Sequence, residues 1–588
     1  MIVIIFHLVN VEFNKMCGIA GILNHKNASI AIHAMLNVQS ERGPDAKNIF
    51  DVPQRGMSLG HNRLSIIDLS IGANQPMHSQ NGRYILVFNG EIYNYIELKK
   101  ELRPFFKFRT ESDSEVLLCA FEHWGTSVLD KLNGMFAFAI YDTKENVLFL
   151  ARDRFGVKPL YYSLIGNTLI FASEIKSIYA SGLLEKESND AIWVLYFAKG
   201  LYDHSEKTFW KNVFQLPAGT FAEYRENSLK ISKWYSVQDK IQDIDSRDEK
   251  VILEELLYLL ESSVSYRFRA DVPVGICLSG GLDSSLLLAL VNRVKGKDFP
   301  IHAFTFYTGD SRYDELPWVN QMIKDSNVQH HPCLLEATEI ADLSKKISRR
   351  MDEPFGGIPT LGMSKVFECS QRQGIKVLLD GNGMDEGWGG YEYYQRADSI
   401  DFSRGPVQGS KSSNPLESIL KKEMLQLLGE FELPKYHPDS ITNLQIRDLV
   451  SSKIPRAMRF ADRNSMTYSL ELREPFLDHR LIELGLRQLT ERKVNNGEGK
   501  YLIRKLASQL IPKDVFEAPK RPLQTPQREW LASELKPWVK DLFAKRNEAL
   551  SDFFKLNEVQ KLYENYCQNK PDNSFGIWQL INYCALRN

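Results

Sequence analysis

At 588 residues the chain is about four times the roughly 150 residues of an average domain, so two or more domains are expected. Lys and Arg number 73 against 74 Asp and Glu; the resulting net charge of −1 argues against a broadly basic nucleic-acid binder and leaves room for a local phosphate site. No apolar run nears the roughly 18 residues of a membrane-crossing helix, and seven cysteines, without a C-x-x-C pair, argue against a disulfide scaffold and a structural zinc site.

Residues 1–16 open the chain without a basic start, and their apolar run ends at Phe6, so a secretory signal is not expected. They read either as an added first strand or as a leader absent from the active form, which would then begin at Cys17. Residues 17–235 carry short β-type runs, among them Tyr84–Phe88, Phe136–Tyr141, Val147–Leu150 and Thr168–Phe171. Turn pairs such as Asn81-Gly82, Asn133-Gly134 and Gly166-Asn167 separate them, which predicts a mainly antiparallel α+β domain. Residues 236–249 are polar and read as a linker. Ile252, Leu256, Leu259, Leu260 and Val264 then mark an amphipathic helix at the head of a second domain, 250–588. From about residue 271 the pattern becomes strand, loop, helix. Val274–Leu278, Ile301–Phe306 and Ile375–Leu379 are continuous apolar runs, which predicts a parallel sheet covered on both faces. Residues 403–415 read as a surface loop, and the chain from about 440 as mostly helical.

The strongest chemical signal is Leu278-Ser279-Gly280-Gly281-Leu282-Asp283-Ser284-Ser285, between a strand and a helix. Two glycines allow close backbone approach to an anion, the serines add hydroxyl donors, and the helix N-terminus supplies free N–H groups. Asp283 would repel phosphate unless a cation lay between them, so it is a candidate Mg²⁺ ligand. The string lacks the G-K-[ST] ending of a Walker A loop. A second strand ends in Asp380-Gly381-Asn382-Gly383-Met384-Asp385-Glu386. Ligands bind at the carboxyl ends of strands in open α/β sheets, so Asp283 and Asp385 could flank one metal–pyrophosphate.

The S-G-G-L-D-S-S string resembles the pyrophosphate loop of the N-type ATP pyrophosphatases. Together with M-C-G-I-A-G-I at 16–22, it makes the chain similar to the glutamine-hydrolysing asparagine synthetase family over nearly its whole length from Met16. The resemblance implies an N-terminal-nucleophile sandwich, antiparallel sheets between helices, followed by an α/β ATP-pyrophosphatase domain with a helical C-terminal part. It implies ATP and Mg²⁺, and amidation of a carboxylate through an acyl-adenylate, with ammonia passing through an internal tunnel. It also implies small-molecule substrates (glutamine, ATP and a carboxylate acceptor), a homodimer and a cytoplasmic setting. In the glutaminase half Cys17 would be the nucleophile, with its own α-amino group as base. Asn89 and Gly90 would form the oxyanion hole. Arg63, in the run Arg63-Leu64-Ser65-Ile66-Ile67, would hold the glutamine carboxylate, and Glu91 and Asp113 its ammonium. Arg42-Gly43-Pro44-Asp45 also matches, as a loop. In the synthetase half Leu278, Ser279–Ser285, Phe306, Asp380 and Gly381 match ATP positions, Asp283 and Asp385 match metal positions, and Lys520 fits the lysine that stabilises pyrophosphate.

One departure bears on the acceptor. Where the family typically reads S-G-E-G-A-D-E, this chain reads D-G-N-G-M-D-E, so the glutamate considered a proton acceptor is Asn382, which cannot be a base. Glu386 or water would take its place. Aspartate remains the default acceptor; a sugar uronic acid of surface polysaccharide is the alternative. A non-catalytic nucleotide or glutamine sensor is the alternative of another class. His330-His331 and Arg349-Arg350 read as core or surface rather than as ligands.

Overall fold

The inner strands of the N-terminal half are apolar on both faces because they are covered on both sides. Phe136 to Tyr141 are all buried, with a helical layer on one side of their sheet and a second sheet on the other. This computed structural model describes residues 17–587 apart from 44, 325, 400–415, 430, 519–523 and 570–573; residues 1–16, the stretch 403–415 and Lys520 therefore lie outside the described residues.

Among the described residues, one six-stranded antiparallel sheet runs in the order Phe214–Gln215, Tyr161–Ile165, Thr168–Ala172, Gly18–Leu23, Met57–Arg63, Ala46–Val52. The other runs Ser228–Lys233, Thr220–Arg225, Val147–Arg152, Gly134–Asp142, Tyr84–Ile92, Met77–His78. Ile19, Leu59, Val87, Ala139 and Phe171 fill the space between them. Helices Tyr95–Leu102 and Asp113–Trp124 close one outer face, and Ala28–Val38 with Ile175–Ala180 the other. This is the helix–sheet–sheet–helix sandwich of the N-terminal-nucleophile type.

The second half is built on a five-stranded parallel sheet in the order Val328–Leu334, Ile301–Tyr307, Val274–Cys277, Val377–Leu379, Glu471–Arg473. Chain order runs outward from Val274–Cys277 on one side and resumes with Val377–Leu379 on the other. The two strands pair directly, Val274 opposite Val377 and Ile276 opposite Leu379. Their carboxyl ends therefore form the topological switch point, the crevice where such sheets bind ligands. Both glycine-rich loops leave from it. Helices follow to the C-terminus, ending in Phe575–Leu586.

The stretch 236–249 is packed rather than suspended. Val237 and Ile241 are buried with Tyr235 against Leu449, Leu477 and Leu486. The halves also share aromatic contacts: the rings of Trp193 and Tyr583 meet edge-on, centroids 4.9 Å apart, and Asn582 donates to the Tyr196 hydroxyl at 3.0 Å. Each buried ring of this kind contributes about 2–3 kcal/mol.

Candidate functional site

Two sites emerge, one in each half. Cys17 precedes the first residue of the central strand Gly18–Leu23, and its Sγ accepts the Leu64 N–H at 3.3 Å and lies 3.6 Å from the Leu64 carbonyl. Burial pushes the thiol up to about 12, so it stays protonated at neutral pH and needs a base to take its proton. Arg42 donates from Nε to the Cys17 carbonyl at 3.0 Å.

A small cavity of about 30 Å³ joins Cys17 to Arg63, Leu64, Ile66, Ile67, Gly90, Glu91 and Asp113. Gly90 has φ +154°, and a Cβ there would stand 2.1 Å from the Met135 carbonyl, so only glycine fits there on the cavity shared with Cys17. Asn89 does not line the cavity, but it is wholly buried and neither end of its amide has a partner among the described residues. An unpaired buried donor costs about 1–3 kcal/mol unless something completes it. The Arg63 guanidinium donates to the Ser70 carbonyl at 2.7 Å, to Asn74 Oδ1 at 2.8 Å and to the Asp68 carbonyl, which ties the loop 68–74 to the cavity. Ser65 does not line it; its N–H goes to Asp45 at 2.9 Å. Asp113 accepts the Ile92 N–H at 3.0 Å, and burial raises its carboxyl to about 6. Burial and the neighbouring Asp113 likewise hold Glu91 well above the usual carboxylate range.

The second cavity, about 380 Å³, lies at the switch point and is lined by Leu278, Ser279, Asp283, Ser284, Phe306, Asp380, Gly381 and Asp385. Gly280, Gly281, Leu282 and Ser285 belong to the loop without lining it. Gly280 takes φ +78°, where a Cβ would press on Trp318 and Val319 at 3.1 Å. Ser284 Oγ accepts the Ser279 N–H at 3.2 Å and so shapes the loop. Phe306 and Phe304 give the far wall an apolar character.

Lys500 was not singled out by the sequence. It takes φ +61° at the start of helix Tyr501–Ala507, and its Nζ lies 2.6 Å from Asp283 and 2.7 Å from Asp385. Burial alone would lower its pKa, but the two carboxylates override that and raise it. The contact brings the two predicted metal aspartates onto one cationic point. A carboxylate pair from two adjacent strand ends fits a hard divalent cation shared with phosphate oxygens. Asp380 folds back into its own turn, accepting the Gly381 N–H at 2.6 Å and the Asn382 amide at 2.7 Å. Glu386 also lines this cavity; burial and then Asp385 push it up to about 7, and Tyr391 donates to it at 2.7 Å. The sequence pattern likewise missed Glu471 and Arg473, described below. Glu471 and Arg473 are two of the three residues of one short strand, too short to show a period, and Lys500 stands just before its helix, where only the turn Asn496-Gly497 marked the place.

His302 Nδ1 meets His331 Nε2 at 3.0 Å, and His330 meets the Thr305 hydroxyl at 3.0 Å. Among the described residues no group of three or more His, Cys, Asp or Glu side chains is arranged to hold a metal, and no helix is long and apolar enough to cross a membrane.

Comparison with known proteins gives two family matches: a glutamine amidotransferase domain over residues 16–235 and asparagine synthase over 255–587. The glutamine-hydrolysing asparagine synthetase 1 of Bacillus subtilis is 30% identical, aligned over 96% of this chain and 95% of its own. The amidase chyE of Penicillium rubens is 27% identical over 93% of this chain and 94% of its own. A solved glutamine phosphoribosylpyrophosphate amidotransferase from B. subtilis, complexed with ADP and GMP, covers 54% of this chain and 81% of its own at 16% identity, with a TM-score of 0.30.

Proposed function

Starting from a chain that belongs to the glutamine-hydrolysing asparagine synthetase family, we propose that it transfers glutamine-derived ammonia to the side-chain carboxylate of aspartate, at the expense of ATP. Glutamine-dependent amidation of the asparagine-synthase type follows from the family; aspartate as acceptor, Mg²⁺ and the residue roles are our reading.

In the first site Cys17 Sγ attacks the glutamine amide carbon while its proton passes to the α-amine of Cys17. That requires Cys17 to be the working N-terminus, free of residues 1–16. The Gly90 N–H and the Asn89 amide answer the charge that develops on the carbonyl oxygen. Arg63 faces the substrate carboxylate, and Glu91 and Asp113 its ammonium. Ammonia leaves and water later cleaves the thioester.

In the second site the acceptor carboxylate attacks the α-phosphorus of ATP and pyrophosphate departs. Bound Mg²⁺ would neutralise phosphate charge there, held by Asp283 and Asp385. Lys500 offsets the charge on the departing pyrophosphate together with Lys520, which keeps the role expected from sequence. Ammonia then attacks the acyl carbon, AMP leaves, and Glu386 takes the proton that Asn382 cannot.

The observation that carries this reading is the convergence of Asp283, Lys500 and Asp385 at the switch-point cavity. The test is an acceptor screen: pyrophosphate release from ATP and ammonia with aspartate, with free uronic acids and with nucleotide-linked uronic acids. Release stimulated by aspartate alone is the expected result. Release stimulated only by a uronic acid would replace aspartate with the sugar, and release with no acceptor would overturn amidation.

A further inference from the structure

The glutamine cavity has a wall supplied by the other half of the chain. Glu471, the first residue of the edge strand Glu471–Arg473, lines it beside Cys17, Glu91 and Asp113. Two residues on, Arg473 is fully buried. Its Nε donates to Glu471 at 2.6 Å and its Nη2 to Glu91 at 2.8 Å. Nη1 donates to the carbonyls of Arg267 and Arg269, both at 2.8 Å, which fixes the plane of the fork. The carbonyl of the same residue accepts the Asp380 N–H at 3.0 Å, and Asp380 lines the nucleotide cavity. One residue thus touches the walls of both sites.

Resting on the function proposed above, we propose that Arg473 is a positioning residue for glutamine recognition, holding Glu91 in place from the synthetase half, and that Glu471 is a third carboxylate of the subsite for the substrate ammonium. The charges agree with this. Glu91, Asp113 and Glu471 offer three carboxyl groups to an ammonium on one cavity, which also carries the Arg63 guanidinium for the substrate carboxylate. The identity of the residue matters too. A guanidinium presents a planar fork that spans two carboxylates while donating to two carbonyls, whereas a lysine ammonium is a compact point charge.

The experiment uses the full chain. Initial rates of glutamate release are measured against glutamine, and pyrophosphate release is measured with glutamine or ammonium chloride as nitrogen source, for the parent, Arg473→Lys and Glu471→Gln. A residue that positions a binding group raises KM and spares kcat, so Arg473→Lys should raise the glutamine KM about tenfold with kcat within about threefold. Glu471→Gln keeps the Arg473–Glu91 pair, and should raise KM about three- to tenfold. The ratio of glutamine-supported to ammonia-supported synthesis falls with it. If Arg473→Lys fails to fold, the KM of Glu471→Gln decides. Loss of both nitrogen sources in step, with a lowered melting temperature, would mean a merely structural role and overturns the proposal. An unchanged glutamine KM overturns it as well. If the parent itself neither hydrolyses glutamine nor releases pyrophosphate, the underlying function falls and this proposal with it.

Discussion

Lys500 Nζ lies 2.6 Å from a carboxylate oxygen of Asp283, a contact that pins a residue of the C-terminal helical part onto the nucleotide loop. The same ammonium reaches Asp385, so it marks the point where negative charge from two strand ends is compensated. A cation fixed there needs no reorganisation when charge builds on a departing pyrophosphate, and such fixed donors contribute about 3–4 kcal/mol. Lys500→Met should therefore lower pyrophosphate release about a hundredfold or more, and Lys500→Arg should restore little of it. Glutaminase activity, in the other half, should stay within about twofold and reports that the protein is folded. Parallel assays of the two activities check this; equal losses in both would remove Lys500 from the chemistry.

Cys17→Ala should abolish glutamine hydrolysis and leave ammonia-supported synthesis in place, because the nucleophile and the nucleotide cavity share no residue. The raised thiol pKa sharpens a second expectation. A thiol held protonated at neutral pH needs a local base, and its two hydrogen-bond contacts are both with the Leu64 main chain. In the proposed mechanism that base is the α-amine of Cys17, which is free only once residues 1–16 are gone. Intact-mass analysis of active enzyme should show Cys17 first, and a form blocked by even one preceding residue should lack glutaminase activity while keeping ammonia-supported synthesis.

The division into an antiparallel and a parallel half was legible because short β-runs separated by turn pairs give way, from about residue 271, to strands that alternate with helical segments. The glycine-rich strand ends were legible because few folds need such strings there. Lys500, Glu471 and Arg473 were not, since their partners are distant in sequence and none disturbs a local period: Arg473 reaches Glu91, Lys500 reaches Asp283, and Glu471 shares a cavity with Cys17. The stretch 236–249 hides its packing for a related reason. Its polar composition hides Val237 and Ile241, and two apolar side chains suffice to fasten it to the second half. Asp380 and Asn382, which both differ from the family string, are partners in one turn.

Asp113 gives the glutaminase a pH limit. Its carboxyl is raised to about 6 by burial, and Glu91 beside it is raised as well. Ionised Asp113 favours ammonium binding, and that form is lost as pH falls through about 6. The value of kcat/KM for glutamine should thus fall as pH drops below about 6, while ammonia-supported synthesis need not follow the same limb. Asp113→Asn removes one charge-assisted hydrogen bond, a loss of about 1.5–3 kcal/mol, and should lower kcat/KM about ten- to a hundredfold and shift the acidic limb. A limb that stays at the same pH in Asp113→Asn would assign it to another group.

Arg42 carries the last expectation, and it concerns how the two halves are held. Its guanidinium meets Asp462 of helix Ile454–Met466 at 2.8 and 3.0 Å and Glu174 at 3.1 Å, while Nε holds the Cys17 carbonyl at 3.0 Å. All three charged side chains are buried. Removing Arg42 leaves Asp462 to Arg463 and Lys158, and Glu174 to Lys176 and Arg463, so the loss is that of charge-assisted hydrogen bonds, about 1.5–3 kcal/mol. Arg42→Met should therefore lower the melting temperature by several degrees. It should also weaken glutamine hydrolysis more than ammonia-supported synthesis, because the lost Nε contact lies on the nucleophile's own residue. Replacing Asp462 by Asn keeps that contact, so it should cost stability with a smaller effect on the glutaminase. Calorimetry with both rate assays separates the two roles: if Arg42→Met and Asp462→Asn lose glutaminase activity equally, the Cys17 contact contributes nothing to positioning the nucleophile.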